Sequence, residues 1–236
     1  MRRRHLSSAA LVVALVAGVC VLAAALGVWL DLWTFRTGFT LLRYGAWAGL
    51  AGLILAVIAL LMGPSRVVAL AALVVAALSL GIPWSWQQQA RNVPPIHDIS
   101  TDLDDPPAFV AIVPLRAHAA NPVEYAGPET AAQQREGYPD LQTRHIPLPP
   151  TEALAAAERT ARALRWTVVD VDAASGRLEA YETTFWFRFT DDVVVRVRPA
   201  DGGSRIDVRS KSRVGRSDVG TNAARIRRFL DALERP

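Results

Sequence analysis

Residues 8–30 read SAALVVALVAGVCVLAAALGVWL, and no side chain among them carries a charge. A helix rises 1.5 Å per residue, so about 20 residues cross the roughly 30 Å hydrocarbon layer. This stretch is therefore long enough to span. YGAWAGLAGLILAVIALLM (44–62) and VVALAALVVAALSLGIP (67–83) repeat the pattern. Unpaired peptide groups cost several kcal/mol each in lipid, so all three segments are expected as transmembrane helices. A cleaved signal has a shorter apolar core, 7–15 residues, and a small-residue cleavage site; a retained first helix is expected instead.

Arg2, Arg3 and Arg4 precede the first span and favour a cytoplasmic N-terminus, as positive charges do. The connections carry Asp31, Arg36, Arg43 and Arg66, which argue weakly and in opposite senses. Three crossings then place everything after residue 90 outside the cytoplasm. Trp29, Trp33, Trp84 and Trp86 bracket the spans, where amphipathic rings are favoured. Ser79 and Cys20 are the polar side chains at depth, which fits an anchor better than an ion or substrate pathway. Gly18, Cys20, Ala24, Gly45, Gly49 and Gly52 are small enough for close helix packing, within the chain or in a homo-oligomer. Cys20 is the sole cysteine, so an internal disulfide is excluded.

The formal charge of +4 arises in the anchor. Residues 1–90 contribute six arginines against Asp31, whereas residues 91–236 hold 20 basic and 21 acidic groups. A nearly neutral domain gives no support to nucleic-acid binding. Its charge is nonetheless polarised. Residues 91–195 carry nine basic against sixteen acidic groups, and residues 196–236 eleven against five.

Residues 91–150 are proline-rich and lack periodicity, from Pro94-Pro95 to Pro149-Pro150. Phe109, Ile112, Val113, Leu115, Tyr125, Tyr138 and Leu141 argue for an ordered lead-in, with short strands expected at 109–113 and 143–147. Beyond it Thr151 is expected to cap a helix carrying Leu154, Ala157, Ala161 and Leu164 on one face. Strands follow at 166–171, from Arg177 to about Phe189, at 193–198 and at 205–211, the last two joined by an Asp201-Gly202-Gly203 turn. Arg205, Asp207, Arg209 and Lys211 are expected to face water, opposite Ile206 and Val208. A helix over 221–234 buries Ile226, Phe229, Leu230 and Leu233. The order β-α-β-β-β-β-α implies a mostly antiparallel sheet with two helices on one face, an α+β domain following three transmembrane helices.

The most distinctive segment is 209–222, RSKSRVGRSDVGTN. Basic and hydroxyl groups alternate there, two glycines follow, and a helix begins. Free N–H groups at a helix start, helped by Arg213 and Arg216, can hold a carboxylate or phosphate. Equally, the glycines serve turns, Asp218 or Thr221 caps the helix, and Arg209 and Arg213 pair with Asp191, Asp192 or Asp207. Both readings stay open. The candidate ligand-binding residues are Asp192, Arg209, Ser210, Arg213, Arg216, Ser217, Asp218, Asn222 and Arg225. No Walker spacing and no nucleophile elbow is present. His97, Asp98, Asp102, Asp104 and Asp105 form an acidic cluster without regular ligand spacing, so no metal and no cofactor is assigned.

DDVVVRVRP and RIDVRSKSRVGRSDVGTNAARIRRFL closely resemble the bacterial and plastid family called domain of unknown function 1499. Arg209, Ser210, Ser212, Arg213, Val214, Gly215, Ser217, Asp218, Gly220, Asn222, Arg225 and Ile226 carry the resemblance, while Thr190 departs where many members have phenylalanine. Residues 96–109 and 138–141 are similar to the subgroup with a membrane-embedded N-terminus. The resemblance covers about residues 94–234 and implies no activity. The expectation is a membrane-anchored extracytoplasmic binding domain that meets an anionic ligand or an envelope protein. The alternatives are an envelope-acting enzyme using Asp192, Arg209, Arg213, Ser217 and Asp218, or a structural subunit of a membrane complex.

Overall fold

The computed structural model describes residues 5–234, so Arg2, Arg3 and Arg4 lie outside the described residues. It divides into two compact units, one of residues up to Gln89 with Trp186–Arg188, the other of Ala90–Phe185 with the residues from Phe189 onward.

In the first unit, α1 (Leu6–Trp29), α2 (Phe35–Met62) and α3 (Arg66–Arg91) are each long and apolar enough to cross a membrane. The chain is thus a multi-pass membrane protein by length and composition. Two helices are longer than their uncharged cores. The second begins at Phe35 rather than Tyr44 and so takes in Arg36 and Arg43, long-stemmed side chains that a helix end at a membrane tolerates. Their guanidiniums sit 5.8 Å from the Phe35 and Tyr44 ring centroids. The third runs through Pro83 to Arg91 instead of stopping at the proline. Ser79 and Ser85 hydroxyls donate to the Val75 and Ile82 carbonyls around it, an adjustment that membrane helices tolerate. The small residues do allow close approach. A Cβ at Gly45 would meet Val21 at 2.9 Å, and one at Gly49 would meet the Leu80 backbone at 3.1 Å.

The second unit is built on β1 (Asp98–Ser100), α4 (Pro128–Gly137), β2 (Arg144–Ile146), α5 (Pro150–Ala163), β3 (Thr167–Asp172), β4 (Arg177–Thr183), β5 (Thr190–Ala200), β6 (Gly203–Ser212) and α6 (Thr221–Leu233). From β2 onward the order is the expected β-α-β-β-β-β-α; β1 and α4 are additions from the lead-in. The sheet runs β1-β6-β5-β4-β3 with every pairing antiparallel, and β2 shares the outer side of β6 with β1. Strands β5 and β6 are joined by the expected tight turn, with Ala200 opposite Gly203 and Gly202 at φ 76°.

Helices α5 and α6 cover one sheet face. Leu178, Ala180, Val193, Val195, Val197, Ile206 and Val208 pack there against Leu154, Ala157, Ala161, Ile226 and Phe229. Trp166 stacks on Phe229 with ring centroids 5.0 Å apart. Thr151 does not cap α5. The helix starts two residues before such a cap would allow, with Pro149 at the cap and Pro150 in the first turn, where the missing N–H costs nothing.

Three local expectations fail for identifiable reasons. Residues 109–113 form no strand; they enter a 3-10 turn at Val113–Arg116, and the Val110, Ala111 and Ile112 N–H groups donate to the Glu179 carboxylate at 2.9–3.0 Å. Strand β4 ends at Thr183, not Phe189. Thr184 and Phe189 close a loop, the Thr184 N–H donating to the Phe189 carbonyl and the Phe189 N–H to Thr184 Oγ1. The alternating phenylalanines imitate a strand but occupy this loop. Last, the face expected to be wet is dry: Asp207, Arg209 and Lys211 are buried, because the lead-in lies across them. Phe109 and Ile112 pack there on Val194.

Candidate functional site

The last residues of β6 place successive side chains on opposite faces of the sheet, and the 209–222 segment divides accordingly. On the lead-in face, Arg209 and Lys211 point at Asp98. The carboxylate accepts from Arg209 Nε at 2.8 Å and Nη2 at 2.9 Å, from Lys211 Nζ at 2.8 Å, and from the Ala126 N–H at 3.1 Å. Arg209 also donates to the Pro107 and Val123 carbonyls and lies 4.9 Å from the Phe109 ring centroid. Burial lowers the Lys211 ammonium's pKa against the pull of Asp98, and Arg209 and Arg116 add to the lowering.

One strand over, Asp192 sits opposite Lys211 in register. It is fully buried and held by Arg116 and by Arg213, whose Nη2 donates at 2.7 Å. Arg213 also donates to the Leu115 carbonyl and lies over the Tyr181 ring. A third group follows along the same face, with Asp102 and Asp207 both accepting from Arg196 and Arg205. The lead-in is thus attached to the sheet by charge. Asp98, Asp192, Asp102 and Asp207 are each stabilised by two cations, the arrangement that offsets their lost hydration.

The helix face carries a second polar cluster. Arg225 is completely buried; Nη2 donates to Asp191 at 2.7 Å, Nε to Glu182 at 2.6 Å and Nη1 to Ser210 Oγ at 3.1 Å. Asn222 accepts from the Ser210 hydroxyl at 2.7 Å and donates to Ser212 Oγ and to the His97 carbonyl. Asp218 accepts the Gly220 and Asn222 N–H groups, both at 2.8 Å, so it satisfies the start of α6. Ser217 accepts the Val219 N–H. Loss of hydration pushes the Asp218 carboxyl up to about 6, against the two N–H donors that favour its charge.

That shift has a pH signature. A carboxyl raised in the folded state binds more protons there than unfolded, so its ionisation lowers stability as pH rises from about 4 to about 6. The contribution is at most about 3 kcal/mol. Urea unfolding of the full chain at pH 4.5 and pH 7 is expected to show this loss, and Asp218→Asn to flatten it. An identical pH slope in the two proteins contradicts the assignment.

The nine sequence candidates therefore do not converge on one pocket. Asp192, Arg209 and Arg213 lie on the lead-in face; Ser210, Asn222 and Arg225 lie on the helix face. Ser217 and Asp218 turn the chain, and Arg216 projects outward. Asp192 and Asp218, the carboxylates of the enzymatic alternative, belong to these separate sets. Arg213 pairs with Asp192 as one reading had it, whereas Arg209 takes Asp98 in place of Asp191, Asp192 or Asp207. Sequence reading missed Asp98, Arg116, Glu179 and Lys211 as members. Their one signal was ionisable residues recurring on a single strand parity beside a lead-in too apolar to be a free spacer. Among the described residues, no group of three or more His, Cys, Asp or Glu side chains is placed to hold a metal ion.

Fold and site together define a class: a three-helix membrane protein whose α+β domain is organised by buried Asp–Arg pairs into a structured polar region. The family model described as protein of unknown function (DUF1499) matches residues 98–233, and the chain belongs to that family. No curated protein matches the chain.

Proposed function

We propose that the protein is a membrane-anchored binding domain of the cytoplasmic membrane, with its N-terminus inside and its C-terminal domain outside. It stands with the family members that carry a membrane-embedded N-terminus. Its partner is an anionic ligand or the anionic surface of an envelope protein. One observation carries this reading. Arg216 is exposed, and among the described residues no carboxylate pairs with its side chain, in a segment where Arg209, Arg213 and Arg225 are all committed to internal partners. His97 Nδ1 contacts the Arg216 carbonyl at 3.3 Å and steadies the loop that presents it. The recognising edge thus narrows from nine candidates to Arg216, with partly exposed Arg213 beside it in sequence. The buried members hold that edge in place.

The test compares wild type and Arg216→Glu, both full length and purified from native membranes, by mass spectrometry of co-purifying lipids and proteins. Arg216 makes no ion pair among the described residues, so the variant is expected to fold. Anionic species retained by wild type are expected to fall about tenfold, the factor for roughly 1.4 kcal/mol. Equal retention overturns the proposal. Arg213→Ala is the poorer probe, because it strips Asp192 of one of two cations.

A further inference from the structure

A groove of about 800 Å³ lies on the domain, and the fold explains why it is there. The outer side of β6 is not covered by one strand. β1 pairs with Arg209–Lys211 and β2 with Ser204–Ile206, so Asp207 and Val208 fall in a gap between them. Two threonines bridge the gap. Thr101 exchanges hydrogen bonds with the Val208 backbone, both at 2.9 Å, and Thr143 Oγ1 donates to Asp207 at 2.6 Å. From these points the chain ends diverge. The turn after β1 makes one wall, and the connection from α4 to β2 makes the other.

The walls are held firmly while their accessible groups are not. Asp102, buried at the base, accepts the Asp104 and Asp105 N–H groups and the Arg196 and Arg205 guanidiniums. Arg135 and Asp104 pair at 3.2 Å between the walls, but their side chains are 57% and 94% exposed. Such an exposed pair is worth little and opens readily. Gln142 and His145 are exposed beside them.

The chemistry of the lining selects among ligands. Its aspartates, Asp102 and Asp104, balance its arginines, Arg135 and Arg205. A net anion meets Asp104, and a net cation meets Arg135. Adjacent hydroxyl groups suit both, because each is donor and acceptor at once, and guanidinium, carboxylate, amide and imidazole can all engage them. The volume lies within the range of small-molecule sites. We infer that this groove is a binding site for an uncharged polyhydroxylated ligand of the oligosaccharide class, either free or as a glycolipid headgroup. Arg216 is not among its lining residues.

The experiment uses the full chain in phosphatidylcholine nanodiscs. Chitotetraose, maltotetraose and inorganic phosphate are titrated calorimetrically, and discs doped with a neutral galactosyl diacylglycerol form a further arm. Hydrogen exchange locates the response. A saccharide that binds and slows exchange in residues 101–104 and 138–145 supports the site. Slowing only in doped discs supports it with a lipid headgroup as the source. Arg135→Ala and Gln142→Ala, both at exposed positions, are expected to weaken binding about tenfold, the loss of one charge-assisted or two neutral hydrogen bonds. Arg216→Glu is expected to leave it unchanged. Binding of phosphate alone overturns the ligand class. No binding in any arm, or binding that both groove substitutions leave intact, overturns the site.

Discussion

Asp98→Ala is expected to destabilise the C-terminal domain by about 3–5 kcal/mol, the range for removing one partner of a buried ion pair. Two cations depend on this carboxylate, and Arg209 and Lys211 are both almost wholly buried. Domains of this kind have about 5–15 kcal/mol in total, so the loss is a large share of the whole. The Ala126 N–H loses its acceptor as well, which loosens the lead-in where it crosses the sheet. Burial already disfavours the charged form of Lys211, and without Asp98 little keeps its proton. Adding Lys211→Met is therefore expected to recover part of the loss. The check is urea unfolding of both full-length variants against wild type. A single variant within about 0.5 kcal/mol of wild type, the range for ordinary surface substitutions, contradicts the role assigned to Asp98.

Arg225→Ala is expected to cost a similar amount, about 3–5 kcal/mol, by a different route. This guanidinium ties α6 to the sheet through Asp191 and Glu182, and it supports the Ser210–Asn222 pair. Without it Asp191 is left buried and unpaired, whereas Glu182 keeps the exposed Arg228. Arg225→Lys is expected to rescue poorly, since a point charge cannot reach two carboxylates and a hydroxyl in a fixed fork. Combining Arg225→Met with Asp191→Asn removes both charges and is expected to cost less than Arg225→Ala alone. Thermal unfolding of wild type, Arg225→Met, Asp191→Asn and their combination measures the coupling. Additive effects of the two sites would show that the pair does not hold the helix.

What could be read from the residues followed from local periodicity. The apolar runs of α1, α2 and α3 identify spans because hydrocarbon rejects unpaired peptide groups. Two-residue alternation in β5 and β6 and the spacing in α5 and α6 locate the core, because each face is settled by the residues it carries. Reading failed where the decisive partner lies far along the chain. Asp98 is 111 residues from Arg209, and Glu179 is 67 to 69 from the N–H groups it accepts. Charge on a strand normally signals water, and only the covering lead-in makes this face dry. The Phe185–Phe189 alternation misled in the opposite direction, since a two-residue period cannot tell a strand from a loop closed by a threonine.

The residues alone were enough for the three spans, the strand and helix order of the domain from β2 onward, and the family it resembles. Tertiary structure alone decided which ionisable groups are buried partners, that Arg216 of the distinctive segment faces outward with no carboxylate partner among the described residues, and that a groove opens between β1 and β2. The physical reason is that apolar periodicity is a property of neighbours along the chain. The value of a charge depends on how much water and which opposite charges the rest of the fold leaves around it.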